Sequence, residues 1–551
     1  MLLPLALLAL SQGVLAQDIP GAGSQLRQVP PTPTPLPVTP QIRIEEAAGA
    51  SARASDSVRV VVNELRLAGV TAFATDELIA IAKFTPGAEV TLADLEAMAL
   101  RITEHYRRHG YFVARAYLPA QDITLRVVTI AVREGNYGQV NLRNSSRLDD
   151  GVANRLLEGL DGGKIITLAP LEHRLLLLSD LPGVDVSSTL APGAEPGTSD
   201  LIVDISPGRW VTGSVDADNA GNPYTGEYRV GASVYLNNPM GRGDQASARV
   251  LTSGKGLQYG RIAYQMPFGR ATLGVAYSRL DYELGKQFEL LGAHGSAHVA
   301  SVFGTLNLLR SRNTNLYAGL AYDWRTFKDE IDLFSSVTDK QAKVATASLH
   351  GNRNDDFGGG GASSFFVALS AGSLEIETPA ALAVDQATAR ANGSYQKLWF
   401  NLARNQRVTE LLSLSASVSG QLASKNLDQS EKMVLGGMDG VRGYPQGEAF
   451  GDQGYVASVE ARLLLATLSQ SVPGQLHLLG FVDGGHVTID KNPWYVGDNS
   501  RDLGSVGVGM SWDEPGSFLV RTYYASKLGG EEAISAPDKG GRFWIQAIKY
   551  L

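Results

Sequence analysis

From Trp210 to the end of the chain, apolar and polar residues alternate with a period of two in segments of about ten residues, the length of a tilted membrane-spanning strand. Tyr228, Val230, Ala232, Val234 and Leu236 alternate with Arg229, Gly231, Ser233 and Tyr235. Leu316, Ala318, Leu320, Tyr322 and Trp324 alternate with polar or small neighbours, and Leu412, Leu414, Ala416 and Val418 with Ser413, Ser415, Ser417 and Ser419. Successive side chains of a strand point to opposite faces, so each segment predicts a strand with one apolar face. A soluble β-sandwich shows the same period, and the second face separates the two. Here that face is crowded with Ser, Gly and Thr, which suits a water-lined lumen better than a dry core. Turn signals divide the segments at Asn238-Pro239, Gly241 to Asp244 and Asp355 to Gly361. Residues 209–551 therefore predict a membrane β-barrel of antiparallel strands, even in number and near sixteen. Its last strand, Arg542 to Leu551, has Tyr550 one residue before the end.

Upstream the period changes to that of small α+β units. In the first, residues 58–136, Val58 to Leu65 reads as a β-branched strand and Ala74 to Lys83 as a short helix with Asp76 and Glu77 at its positive end. Thr91 caps a longer helix in which Leu92, Leu95, Met98, Leu100, Ile102 and Tyr106 recur, and Gly110 stops it. Strands follow over Tyr111 to Leu118 and Ile123 to Arg133. The pattern repeats in residues 137–208: a strand at Gln139 to Leu142, helices over Asp149 to Leu160 and Leu168 to Ser179, and strands through Val186 and over Leu201 to Ile205. Before these units, Ser24 to Gln28 is a short helix candidate that Gly21 and Gly23 weaken, so that a disordered tail competes with it. Pro30 to Pro37 is an extended spacer. Leu2 to Leu10 is too short to span a bilayer but fits a signal-peptide core, with cleavage after Ala16.

Composition narrows the functions. A net charge of -8 across 551 residues argues against a nucleic-acid partner. There is no cysteine, and all six tryptophans lie at or after Trp210, as barrel walls meeting two membrane interfaces require. The eight histidines have no ligand spacing, and no His-Glu-x-x-His, nucleophile elbow or phosphate loop occurs. Gly504 to Gly509 imitates a nucleotide loop but sits in strand alternation without a lysine. No enzyme activity, metal or cofactor is expected, and transport remains.

Two stretches of the barrel region stand out. Residues 434–455 carry seven glycines and a proline, which neither a helix nor a paired strand tolerates, so they form a loop. Arg442 is its single cation and needs an anion. Downstream, Phe481-Val482-Asp483-Gly484-Gly485 ends an apolar run from Leu476, and alternation places Phe481, Asp483 and Gly485 on one face with Leu478, Gly480 and Val482 on the other. Taken singly, these are a glycine-rich surface loop and an aspartate in a turn. Together, Val441-Arg442-Gly443-Tyr444 followed by Phe-x-Asp-x-Gly resembles the paired signatures of outer-membrane barrels with periplasmic POTRA domains. Tyr106 to Tyr111 and Arg133-Glu134-Gly135 resemble POTRA sequence.

The whole chain resembles TpsB-type two-partner secretion transporters of the haemolysin/haemagglutinin secretion-activation type. That resemblance implies a plug helix and linker in residues 17–57, POTRA domains at 58–136 and 137–208, and a sixteen-stranded barrel in a Gram-negative outer membrane. The 434–455 loop would fold inward, with Val441, Arg442, Gly443 and Tyr444 meeting the wall motif Phe481, Asp483 and Gly485. The implied partners are one large TpsA-type exoprotein, an adhesin or haemolysin, captured unfolded at POTRA strand edges; outer-membrane lipid; and the barrel-assembly machinery, which reads a terminal aromatic that here is displaced to Tyr550. An assembly or insertion factor of the same superfamily is the alternative, although such factors carry more POTRA units. A passive porin would lack residues 58–208 altogether, and no catalytic constellation supports an outer-membrane enzyme.

Overall fold

In the computed structural model, residues 19–34, 41–44, 59–123, 125–467 and 473–551 are described, so the expected signal peptide lies outside them. The first element is helix α1 (Ala22–Arg27), whose residues Ala22 to Gln25 are buried. Propensity argued against it at Gly21 and Gly23. Gly21 precedes the helix as its cap, and a Cβ at Gly23 would lie 2.6 Å from the Ser430 Cβ, so packing rather than propensity selects glycine there. After the proline-rich stretch comes β1 (Gln41–Ile44).

The first α+β domain contains β2 (Arg59–Val62), β3 (Glu64–Ala68), α2 (Thr75–Ala82), β4 (Ala88–Thr91), α3 (Leu92–Arg108), β5 (Arg115–Tyr117) and β6 (Val127–Arg133). The strand expected over 58–65 is thus two strands, broken at Asn63, whose N–H turns to the Arg126 carbonyl. β2 pairs with β4, and β3, β6 and β5 form a separate sheet. The Thr91 side chain and Asp94 make a reciprocal capping box that starts α3. Leu95, Met98, Ile102 and Tyr106 bury one stripe of α3 against Val128 and Ile130 of β6, whereas Leu92 and Leu100, off that stripe, are exposed. β5 is shorter than alternation predicts because the Gln121 amide takes its place beside β6, donating to the Thr129 carbonyl and accepting from the Thr129 N–H, both at 2.7 Å.

The second domain comprises β7 (Asn136–Asn144), α4 (Asp150–Leu157), α5 (Leu168–Ser179), β8 (Val184–Pro192) and β9 (Thr198–Pro207), with strands longer than the sequence pattern marked. Asp149 caps α4 through the Val152 N–H. The leucines of α5 pack on Leu190, Leu201, Val203 and Ile205. One further strand joins this sheet from outside the domain: β1, placed by sequence in the linker, lies parallel to β8, giving the order β1-β8-β9-β7.

Residues 211–550 close into an antiparallel barrel of sixteen strands, from Val211–Asp218 to Gly541–Tyr550, which meet each other from Ser214–Tyr550 to Asp218–Gln546. Alternation sorts the wall as the pleat requires: Val230, Leu320, Trp324, Leu414 and Val482 are exposed outward, and Arg229, Ser233 and Arg249 are buried inward. Inside, Arg229 pairs with Asp218 and Arg249 with Asp216, each at 2.9 Å. Short turns face the second α+β domain, where Arg310 grips Asp180 through two 2.7 Å bonds. Long loops and the helix Pro379–Ala387 occupy the other end.

Candidate functional site

The longest irregular connection of the barrel, residues 424–452, leaves the strand Leu412–Ala423 at the end away from the α+β domains and folds into the lumen. Its two arms pair briefly, Met433 with Gly451 and Val434 with Phe450. Between them the chain turns tightly: the Val441 N–H donates to Leu435 O at 2.8 Å and the Tyr444 N–H to Val441 O at 3.1 Å. Val441 and Tyr444 are fully buried with Leu435, Val487 and Leu503, so an apolar knot inside the tube aims the tip. Gly443 is required by proximity. A Cβ there would lie 2.9 Å from the Ser505 Cβ and 3.2 Å from the Lys527 backbone, which a side chain could not enter without pushing the loop off the wall.

Close approach brings Arg442 onto the strand Gln475–Thr488. Its Nη2 lies 2.7 Å and its Nε 3.0 Å from the two Asp483 oxygens, a bidentate pair. The third nitrogen, Nη1, donates to Glu460 Oε2 at 2.8 Å, and Nη2 also donates to Ser458 Oγ at 3.0 Å. The guanidinium carbon sits 3.3 Å from the Phe481 ring centroid and 4.9 Å from that of Tyr523. Asp483 also accepts from the Arg442 N–H, Ser458 Oγ and Ser505 Oγ at 3.1, 2.8 and 2.9 Å. The Trp544 indole N–H holds the Arg442 carbonyl at 2.7 Å. Arg442 and Asp483 side chains are 7% and 0% exposed, so this is a desolvated pair whose donors and acceptors are matched. Phe481, Asp483 and Gly485 all face inward, and Gly485 leaves the space that Leu435 of the loop fills, its missing Cβ lying 3.0 Å from Leu435 Cδ2.

Several partners were not singled out by sequence. Ser458 and Glu460 share the inward parity of the strand Gln453–Thr467, and extending the alternation from Val456 would have pointed to them. Glu448, completely buried, had no such signal. It binds Arg501 and accepts from the Ile534 and Ser535 N–H groups, tying the returning arm of the loop to the connection 529–540. Asp452 is buried as well, accepting from the Leu427 and Lys491 N–H groups.

Helix α1 lies against the inner face of the same barrel. The Ala22 N–H donates to Asp329 at 2.7 Å, Thr225 Oγ1 to Gln25 at 3.0 Å, Asn222 to Gln28 at 3.0 Å and Arg229 to the Gln28 carbonyl at 3.0 Å. From there the chain runs down the lumen past Tyr235, whose hydroxyl reaches Pro33 O. Among the described residues, no group of three or more His, Asp or Glu is placed to hold a metal ion. Helix α1 and the loop 424–452 thus both enter the lumen, each fastened by polar side chains.

Comparison with known proteins gives this architecture its relatives. Residues 197–512 match the family described as "Haemolysin secretion/activation protein ShlB/FhaC/HecB", and residues 60–135 match "POTRA domain, ShlB-type". The heme/hemopexin transporter protein HuxB of Haemophilus influenzae is 31% identical over 484 residues, covering 86% of this chain and 84% of HuxB. The outer membrane transporter CdiB of Dickeya dadantii is 26% identical over 71% of this chain and 69% of its own. Among solved structures, CdiB from Escherichia coli shares the fold with a TM-score of 0.69 at 19% identity, over 96% of this chain and 95% of that one. BamA from Haemophilus ducreyi lacking POTRA domains 1-3 is more distant in fold, with a TM-score of 0.52 at 16% identity, over 89% of this chain and all of that one. By the span of the matching family and the extent of likeness to HuxB, the chain belongs to the ShlB/FhaC/HecB family of haemolysin secretion and activation proteins, the TpsB outer-membrane transporters of two-partner secretion.

Proposed function

We propose that this transporter carries one large exoprotein, unfolded, through the barrel lumen, and that the Arg442–Asp483 contact is the latch that sets the inward loop for transport. The barrel lies in the outer membrane with the POTRA domains in the periplasm. No nucleotide is available there, so the free energy of movement comes from binding at the POTRA side and folding at the cell surface. The observation that carries the reading is the nature of what fills the lumen. Helix α1 and the loop 424–452 are fastened to the wall by side-chain hydrogen bonds and ion pairs, contacts that can be exchanged one for another, and are not themselves strands of the barrel.

The outward apolar face contacts lipid, and the Gly541–Tyr550 strand serves as the segment the assembly machinery reads, with Tyr550 as its aromatic. Relatives differ in the cargo their names carry, heme/hemopexin for HuxB and hemolysin for HpmB of Proteus mirabilis, so the partner here is defined by class: a secreted adhesin or haemolysin-like protein. The competing reading is an assembly factor for other barrels. Removing residues 59–207 decides between them. Secretion of a co-expressed exoprotein should stop while other outer-membrane proteins keep their levels; falling levels of those proteins with unchanged secretion would reverse the assignment.

A further inference from the structure

β1 is a four-residue strand in sequence surroundings that do not favour one. Pro37 and Pro40 precede Gln41-Ile42-Arg43-Ile44, and Glu45-Glu46 follow. Proline has no N–H to give a ladder, and charge blunts an edge, so neither flank favours a longer strand. Those four lie parallel to Ser187–Leu190 of β8, in the register Gln41–Ser187 to Ile44–Leu190. β8 runs for nine residues, Val184–Pro192, and β9 pairs all nine from the other side. Among the described residues, β1 is the strand that pairs with the outer edge of β8.

Two other edges of the POTRA domains are built differently. β5 spans three residues and gives way to the Gln121 amide on β6, and β7 is bridged at its start by Ile165 and Lys164. At β8, among the described residues, the edge is covered by a segment from outside the domain. An exposed strand edge adds any extended peptide through main-chain hydrogen bonds, with little demand on sequence.

β1 is also joined to the lumen. Residues 28–40 connect it to α1 in sequence and include Pro30, Pro31, Pro33, Pro35, Pro37 and Pro40, a composition that favours an extended spacer over a flexible coil. We propose that β1 is a built-in stand-in for the partner. Residues 41–44 hold the β8 edge in the resting transporter, and an extended segment of the arriving exoprotein takes their place, releasing the tether that leads to α1. This rests on the transport reading above and names the place on the POTRA domains where the partner is received.

Two measurements on the full chain test it. Because the chain has no cysteine, R43C/T189C introduces a single pair at register partners. Cross-linked, it should secrete a co-expressed exoprotein at least about tenfold less than the same variant kept reduced with dithiothreitol, since a tethered strand that cannot leave competes at an effective concentration in the millimolar range or above. In detergent, a fluorescein-labelled peptide of residues 41–46 should bind R43P roughly tenfold or more tightly than the unaltered chain, whose own strand competes intramolecularly. Failure of the pair to cross-link, equal secretion by the cross-linked and reduced forms, or equal peptide binding by R43P and the unaltered chain would overturn the inference. If the unaltered chain secretes no exoprotein, the transport reading falls, and the peptide measurement still decides whether β1 exchanges at β8.

Discussion

Replacing Arg442 by alanine isolates the latch, and the structure gives the size of the effect. Removing one member of a buried, hydrogen-bonded ion pair costs about 3–5 kcal/mol, chiefly because the other charge is stranded. Asp483 would not be fully stranded. Ser458, Ser505 and the residue-442 N–H still donate to it, which places Arg442→Ala near the lower end, about 3 kcal/mol, or roughly a hundredfold in the balance between docked and released loop. Asp483→Ala removes the acceptor of all these donors and leaves the guanidinium with Glu460, so it should cost more, about 4–5 kcal/mol. Arg442→Lys keeps the charge but loses the fork geometry and the stacking on Phe481, and should fall between Arg442→Ala and the unaltered chain. The reporter is Met438, which is 3% exposed in the cluster with Phe481, Tyr523 and Trp544. As the only cysteine, Met438→Cys should react with maleimide roughly a hundredfold faster in the Arg442→Ala background, because reaction then tracks the open population. Secretion should drop while barrel insertion is retained. Unchanged maleimide reactivity in that background would refute the reasoning, as would a double mutant of Arg442→Ala and Asp483→Ala whose cost is the sum of the two singles.

Glu448→Gln should release the returning arm of the loop from Arg501 and the 529–540 connection, costing about 2 kcal/mol for a buried charged hydrogen-bond group, and a fall of roughly thirtyfold in hydrogen-exchange protection at the Ile534 and Ser535 amides checks it. Gly23→Val places side-chain atoms where the Ser430 Cβ already stands at 2.6 Å, so α1 should leave its seat; larger or more frequent conductance steps in planar bilayers are expected, and an unchanged record would contradict the packing argument. In the first POTRA domain, Glu134 is buried, a change that by itself raises a carboxyl, but the hydroxyl of Thr71, the N–H groups of Thr71 and Ala72 and the Tyr106 hydroxyl outweigh it and hold the group below the usual glutamate value. A depressed folded value means the contribution is complete above the ordinary 4.5 and is lost as pH falls beneath it, so protection of the Thr71 and Ala72 amides, corrected for intrinsic exchange, should fade only below that pH and become insensitive to it in Glu134→Gln.

What could be read from the chain follows from how local each signal is. A strand with one wet and one apolar face writes its orientation in every second residue, so the inward placement of Phe481, Asp483 and Gly485 follows from the parity of one segment. The partners of Arg442 divide along the same line. Ser458 and Glu460 sit on an alternating strand and could be found by parity, whereas Glu448 lies in irregular chain whose contacts depend on where a loop 87 residues later comes to rest. Helix α1 shows the reverse case. Gly23 lowers its propensity by about 1 kcal/mol as an isolated segment, yet in the lumen it is the residue that lets the helix touch Ser430 at all. β1 escaped detection for a related reason. Four residues between prolines and glutamates carry too little pattern to announce a strand, and only the open edge of β8, assembled from residues 184–192, gives them something to pair with. The short, weakly patterned segments of this protein are therefore the ones whose structure is supplied by their neighbours, and the same dependence makes them the elements that can be exchanged during transport.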